Sequence, residues 1–194
     1  MSKDPKGVSR RELLTFWRKP LKELSEELKP PPPPVPVEDR PPPLRPPGVL
    51  HELMLVNTCT HCGLCVKECP ATAIEVLGAD WGRAAGTPFI DARKQPCVLC
   101  TGLKCTHVCP SGALVPVYVN NDVTMGSAEV DEQRCLPFLG QPCDVCVRKC
   151  PVPGALVAGD GGRIRVDRDK CVGCGICESV CPTAPQSIRV VPRA

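Results

Sequence analysis

The residues that could do chemistry in this chain are its sixteen cysteines. They fall into four quartets, each closed by a proline: Cys59, Cys62, Cys65 and Cys69 before Pro70; Cys97, Cys100, Cys105 and Cys109 before Pro110; Cys135, Cys143, Cys146 and Cys150 before Pro151; Cys171, Cys174, Cys177 and Cys181 before Pro182. None is left over. The first and fourth quartets read C-x2-C-x2-C-x3-C-P. In that bacterial iron–sulfur run three thiolates hold one 4Fe-4S cube and the fourth ligates a different cube. A two-residue gap curls the chain tightly enough for neighbouring thiolates to grip different irons. Gly63, Gly173 and Gly175 sit in such gaps, where bulk is least tolerated and positive φ is expected. The closing proline lacks an amide donor and fixes φ, so the chain turns away from the cube there.

Thiolates are soft ligands and suit iron–sulfur clusters, zinc and copper(I). Zinc ribbons also use C-x2-C pairs, but set the two pairs well apart. A secreted disulfide scaffold is usually shorter and rarely repeats such a quartet. The fourfold repeat therefore points to four 4Fe-4S clusters with all sixteen cysteines as ligands. Four closed cubes leave no iron with an open position, so an electron carrier or electron-transfer subunit is expected, not an enzyme. No Ser/His/Asp set, phosphate-cradling loop or H-E-x-x-H run is present. His61 and His107 lie inside quartets, where a histidine either donates to a cluster sulfur or is solvated. His51 completes the histidines.

The elements that position these cysteines must be small. Aromatic residues make up 3% of the 194, too few for a large conventional core. The clusters are expected to replace it, and an apo chain is expected to be largely unfolded, because metal binding is then folding free energy. The formal charge is +3 with thiols neutral. An oxidised cluster with its four thiolates carries roughly −2, so four of them bring the total to about −5. No basic, aromatic-interleaved patch argues for nucleic acid. No apolar run reaches the length of a transmembrane helix.

Along the chain, three parts are expected: residues 1–29, 30–48 and 49–194. Residues 1–8 are polar and expected to be disordered. Ser9 and Glu12 make a capping box. Leu13, Trp17, Leu21, Leu24 and Leu28 follow at helical spacing, an amphipathic helix suited to docking on a redox partner. Pro20 should kink it. The Ser9-Arg10-Arg11 stretch is like a twin-arginine export signal, but the uncharged run Leu13–Trp17 is shorter than an export h-region. A cytoplasmic location is expected, with periplasmic delivery by co-export with a partner as the alternative. Residues 30–48 hold eleven prolines, the composition of a polyproline II spacer.

Within 49–194, each quartet is followed by a short apolar run, at 73–77, 113–117, 155–157 and 188–191. Similar runs precede three of them, at 89–91, 129–131 and 164–167. Gly159-Asp160-Gly161-Gly162 between two such runs is a strong hairpin turn. The expected fold is α+β: two ferredoxin-like modules of the bacterial 2(4Fe-4S) type, built from short hairpins and helical turns around the clusters.

The chain resembles the four-cluster ferredoxin-type proteins of the MauM/NapG family, associated with periplasmic nitrate reduction and methylamine oxidation. The likeness covers about residues 44–192. It rests on Leu44-Arg45-Pro46-Pro47-Gly48, on Gly86-Thr87-Pro88-Phe89, on the C-x2-C-x4-C-x3-C-P-S-G-A-L form from Cys97 to Leu114, and on the long gap from Cys135 to Cys143. It implies an electron carrier between redox proteins of an anaerobic or respiratory oxidoreductase system. The N-terminus looks more like the NapF-type ferredoxin, which implies the alternative of an accessory protein assisting maturation of a partner reductase. Quartets pair either in sequence (first with second, third with fourth) or nested (first with fourth, second with third). The nested pairing is favoured, because the second quartet's spacing resembles iron–sulfur subunits of large molybdenum oxidoreductases. Cys69, Cys109, Cys150 and Cys181 cross to the partner site either way.

Overall fold

Among the described residues, five short α-helices and six short strands are set by the cysteine quartets rather than by long hydrophobic periodicity. The computed structural model describes residues 40–193, all within the compact unit 36–194. The capping box, the amphipathic helix and the first part of the proline-rich stretch lie outside the described residues. Helix α1, Glu52–Thr58, leads into the first quartet. His51 caps it, a ring nitrogen accepting from the Leu53 amide at 3.2 Å, and Glu52 sits in its first turn, where the helix dipole favours a carboxylate. Helices α2 (Leu64–Lys67), α3 (Lys104–His107), α4 (Val145–Lys149) and α5 (Ile176–Ser179) each carry the third cysteine of a quartet: Cys65, Cys105, Cys146 and Cys177. Helices of this length do not hold alone in water. They hold by packing in pairs, α2 on α3 and α4 on α5.

Strands β1 (Glu75–Val76) and β2 (Pro88–Phe89) pair antiparallel. So do β3 (Gly126–Val130) with β6 (Ile188–Pro192), and β4 (Leu156–Ala158) with β5 (Ile164–Val166). The β4–β5 connection is the hairpin expected at 159–162, with a 3-10 turn at Asp160–Gly162. One half of the unit thus runs β3, third quartet, β4–β5 hairpin, fourth quartet, β6, with the outer strands closed on each other. The other half has β1–β2 between the first and second quartets. Its outer pair shrinks to a single contact, the Val115 amide donating to the Gly48 carbonyl at 2.8 Å, while Ile90, just after β2, donates its amide to the Leu44 carbonyl at 2.8 Å. The apolar run 113–117 forms no strand. Pro116 has no amide to give, and Pro46 and Pro47 on the facing segment have none either.

The halves are therefore sequential, first quartet with second and third with fourth. This corrects the nested pairing favoured from the spacing of the second quartet. The physical reason is connection length. Each pair of consecutive quartets is joined by its own antiparallel strand pair, and short antiparallel connections keep sequence neighbours adjacent in space.

Residues 44–48 belong to this body rather than to a spacer. Leu44, Arg45, Pro46 and Pro47 are buried. The Arg45 guanidinium grips both carboxylate oxygens of Glu52, its Nη1 also donating to Thr87 Oγ1 at 3.0 Å and to the Pro88 carbonyl at 2.7 Å. Burying a guanidinium is costly unless its donors are met, and these partners meet them. The apolar interior is thin. Leu44, Ile74, Ile90, Leu103, Val123 and Val172 form one cluster, Ala128, Leu156, Ile164 and Ile188 a second, and Leu55, Ala113 and Leu114 a third, and cysteine sulfurs line every one.

Candidate metal centres

The folding of consecutive quartets onto each other gathers the sixteen thiols into four sets of four. Each set takes three cysteines from one quartet and the last cysteine of its neighbour. The first set, Cys59, Cys62 and Cys65 with Cys109, lines a hollow of about 410 Å³. The second, Cys97, Cys100 and Cys105 with Cys69, lines one of about 340 Å³. The third, Cys135, Cys143 and Cys146 with Cys181, lines about 350 Å³. The fourth, Cys171, Cys174 and Cys177 with Cys150, lines about 310 Å³. Every cysteine singled out in the sequence is placed in one of these sets.

Local backbone turns hold the thiols in place. The residue before the second cysteine is left-handed in three quartets: His61, Leu99 and Gly173. Helices α2 and α5 start from left-handed Gly63 and Gly175, and α3 from left-handed Leu103. Crowding separates the glycines. A Cβ on Gly173 would run into the backbone of Gly126, and one on Gly175 into the side chain of Ala92, while the space beside Gly63 is open. Gly63 is thus needed for φ alone.

Three of the four crossing cysteines, Cys69, Cys109 and Cys181, are met by donors at sulfur. The Ala73 amide donates to Cys69 Sγ at 3.3 Å and the Leu114 amide to Cys109 Sγ at 3.4 Å. Ser111 Oγ lies 3.5 Å from Cys109 Sγ. Thr183 Oγ1 and Ser187 Oγ lie 3.2 and 3.4 Å from Cys181 Sγ. In the fourth set the Ala128 amide of β3 donates to Cys171 Sγ at 3.4 Å. Sequence reasoning missed these hydroxyls. The Cys-Pro-Ser and Cys-Pro-Thr runs at 109–111 and 181–183 carried a signal for Ser111 and Thr183; nothing local marked Ser187. His107 is no sulfur donor. Its Nε2 pairs with the Val117 carbonyl at 3.1 Å, and its ring stands edge-on to Tyr118. His61 lines the first hollow beside Gly86.

Electrostatics decide what these hollows can hold. Burial, with some contribution from neighbouring cysteines, pushes the thiols of Cys65, Cys146 and Cys174 up to about 11. It pushes Cys97 and Cys105 up to about 12, and Cys177 and Cys135 upward too. At Cys109 and Cys181 burial also raises the thiol, but the donors from Leu114, Ser111, Ser187 and Thr183 outweigh it and lower the net value. Four like charges around one hollow cannot all ionise without a compensating cation. An all-thiol set with amide and hydroxyl donors to its sulfurs fits a positively charged iron–sulfur core.

Four thiol-lined hollows set in two ferredoxin-like halves define a ferredoxin-type iron–sulfur protein, an electron carrier that works between redox partners. Residues 58–113 match a 4Fe-4S dicluster domain and residues 164–185 a 4Fe-4S binding domain. The methylamine utilization ferredoxin-type protein MauM of Methylobacillus flagellatus is 40% identical over 162 residues, covering 77% of this chain and 68% of its own. The ferredoxin-type protein NapG of Escherichia coli is 39% identical over 162 residues, covering 77% and 70%. MauM of Paracoccus denitrificans is 39% identical over 164 residues, covering 77% and 71%. The chain belongs to the MauM/NapG family of ferredoxin-type proteins. Among the described residues no helix is long and apolar enough to cross a membrane.

Proposed function

We propose that the sixteen cysteines hold four 4Fe-4S clusters, and that the chain relays single electrons between two redox proteins of an oxidoreductase system. The observation that carries this reading is the fourfold recurrence of the same set: three thiols from one quartet, one from its neighbour, around hollows of similar size. When bound, each cluster supplies a one-electron site whose potential depends on donors to its sulfurs and on exposure to water. The chain's own residues do the rest. The thiolates hold the cores, the amides of Ala73, Leu114 and Ala128 and the hydroxyls of Thr183 and Ser187 stabilise negative charge on sulfur, and the apolar shell keeps water away. Relatives named for methylamine utilization support a place in an oxidoreductase system of that general kind.

The test is metal analysis of anaerobically purified protein. About sixteen iron and sixteen acid-labile sulfide per chain, with a brown colour bleached by dithionite, is the expected result. About four zinc ions without sulfide would overturn the reading.

A further inference from the structure

The two halves meet at one particular pair of thiol sets. The Cys97 amide donates to the Cys174 carbonyl at 3.0 Å, joining a cysteine of the second set to one of the fourth. Gly175, the next residue, lies against Ala92 and Pro96, just upstream of Cys97. Gly175 has no Cβ, and one there would meet the Ala92 side chain, so the approach depends on that glycine. The apolar clusters trace the same contacts. One cluster has Cys105 and Cys174 inside it, with Cys65, Cys69, Cys97, Cys150 and Cys171 packed against it. It therefore touches the first, second and fourth sets. Another has Cys135, Cys146 and Cys177 inside it and Cys150, Cys171 and Cys181 against it. It touches the third and fourth sets. No apolar cluster of the described residues brings third-set sulfurs together with those of the first or second.

We infer that the four sites form one unbranched line in the order first, second, fourth, third, so that the last two quartets are visited in reverse of their order in the chain. The fourth set is an interior link, and the third set, despite its central place in the sequence, is an end. Partner proteins that exchange electrons with the chain meet it at the Cys59/Cys62/Cys65/Cys109 set and at the Cys135/Cys143/Cys146/Cys181 set. Of the sixteen cysteines Cys62 alone is exposed, which leaves the first end the more open of the two.

This inference rests on the four-cluster reading and fails separately from it. Metal analysis of the whole holoprotein tests that reading first. On holoprotein with its full iron, anomalous diffraction at the iron edge then locates the four cores. Second next to fourth, with third at one end, is the expected result; a third core lying between the second and the fourth would overturn the order. Electron paramagnetic resonance of the reduced protein gives a second readout that needs no crystal. Cys174→Ser, which removes the interior fourth site, should abolish spin–spin splitting of the third site's signal while the first and second stay coupled. Cys143→Ser, at the proposed end, should leave first, second and fourth coupled. The reverse pattern, with the fourth site isolated by Cys143→Ser, would replace this order with the order of the sequence. If neither variant retains iron, the diffraction result alone decides.

Discussion

Thr183 and Ser187 act on one sulfur. Both hydroxyls lie within hydrogen-bond reach of Cys181 Sγ, and the Ser187 amide donates to Thr183 Oγ1 at 2.7 Å, which fixes the arrangement. A donor to sulfur favours the more negative, reduced state of whatever the thiolate holds. Thr183→Val or Ser187→Ala should therefore lower the potential of the third site, by about 40 mV if the lost bond is worth about 1 kcal/mol to the reduced state. A redox titration of the purified protein reads this directly. An unchanged third-site potential in the double variant would remove these hydroxyls from any tuning role. The sixteen cysteines could be singled out as ligand candidates at this scale, because thiol spacing is a local property of the chain. The hydroxyls were only half legible. Ser111 and Thr183 follow a Cys-Pro pair, but Ser187 reaches Cys181 by a turn whose path depends on the packing of β3 against β6.

The loops between cysteines and the segment at 44–48 govern how the elements hold together. Gly173→Ala places a methyl into the Gly126 backbone at a left-handed φ, so the start of β3 must move. Loss of the fourth site, read as a drop of about four irons per chain, is expected. Gly63→Ala meets open space and pays only for its φ, about 1 kcal/mol, and should keep its iron. Arg45→Ala leaves Thr87, Glu52 and the Pro88 carbonyl without their shared donor. A destabilisation of about 2–3 kcal/mol is expected, seen as a lower temperature for loss of the cluster absorbance. The glycines and the 159–162 hairpin were legible because turn chemistry is local. The role of residues 44–48 was not. Proline content marks a stretch as extended but does not say whether it packs, and here Pro46 and Pro47 are buried together with Leu44 and Arg45.

At the scale of the whole molecule, the interior is thin and every apolar cluster is lined by thiols. Removing the metal with an iron chelator should collapse the far-ultraviolet and near-ultraviolet circular dichroism together with the cluster absorbance, in one transition. Native dichroism in fully iron-free protein would show that the polypeptide holds itself together. The two-module architecture was legible from the repeat of quartets and apolar runs. The pairing within it was not, since spacing alone suits both nested and sequential arrangements. Only the antiparallel partners of each strand distinguish them, and those are long-range facts for β3 and β6.

The clasp of β3 on β6 also has a consequence for the nascent chain. Ribosomes deliver the polypeptide from its N-terminal side, and folding units form as they emerge. The Gly48–Val115 contact that closes the first half is in hand once residue 115 is out. The β3 ribbon must instead wait for residues 188–192, leaving an unpaired strand edge exposed throughout that delay. Iron delivery to the first two sites can therefore run ahead of the last two, and the interval between them is when the young protein is most open to oxygen and to mispairing.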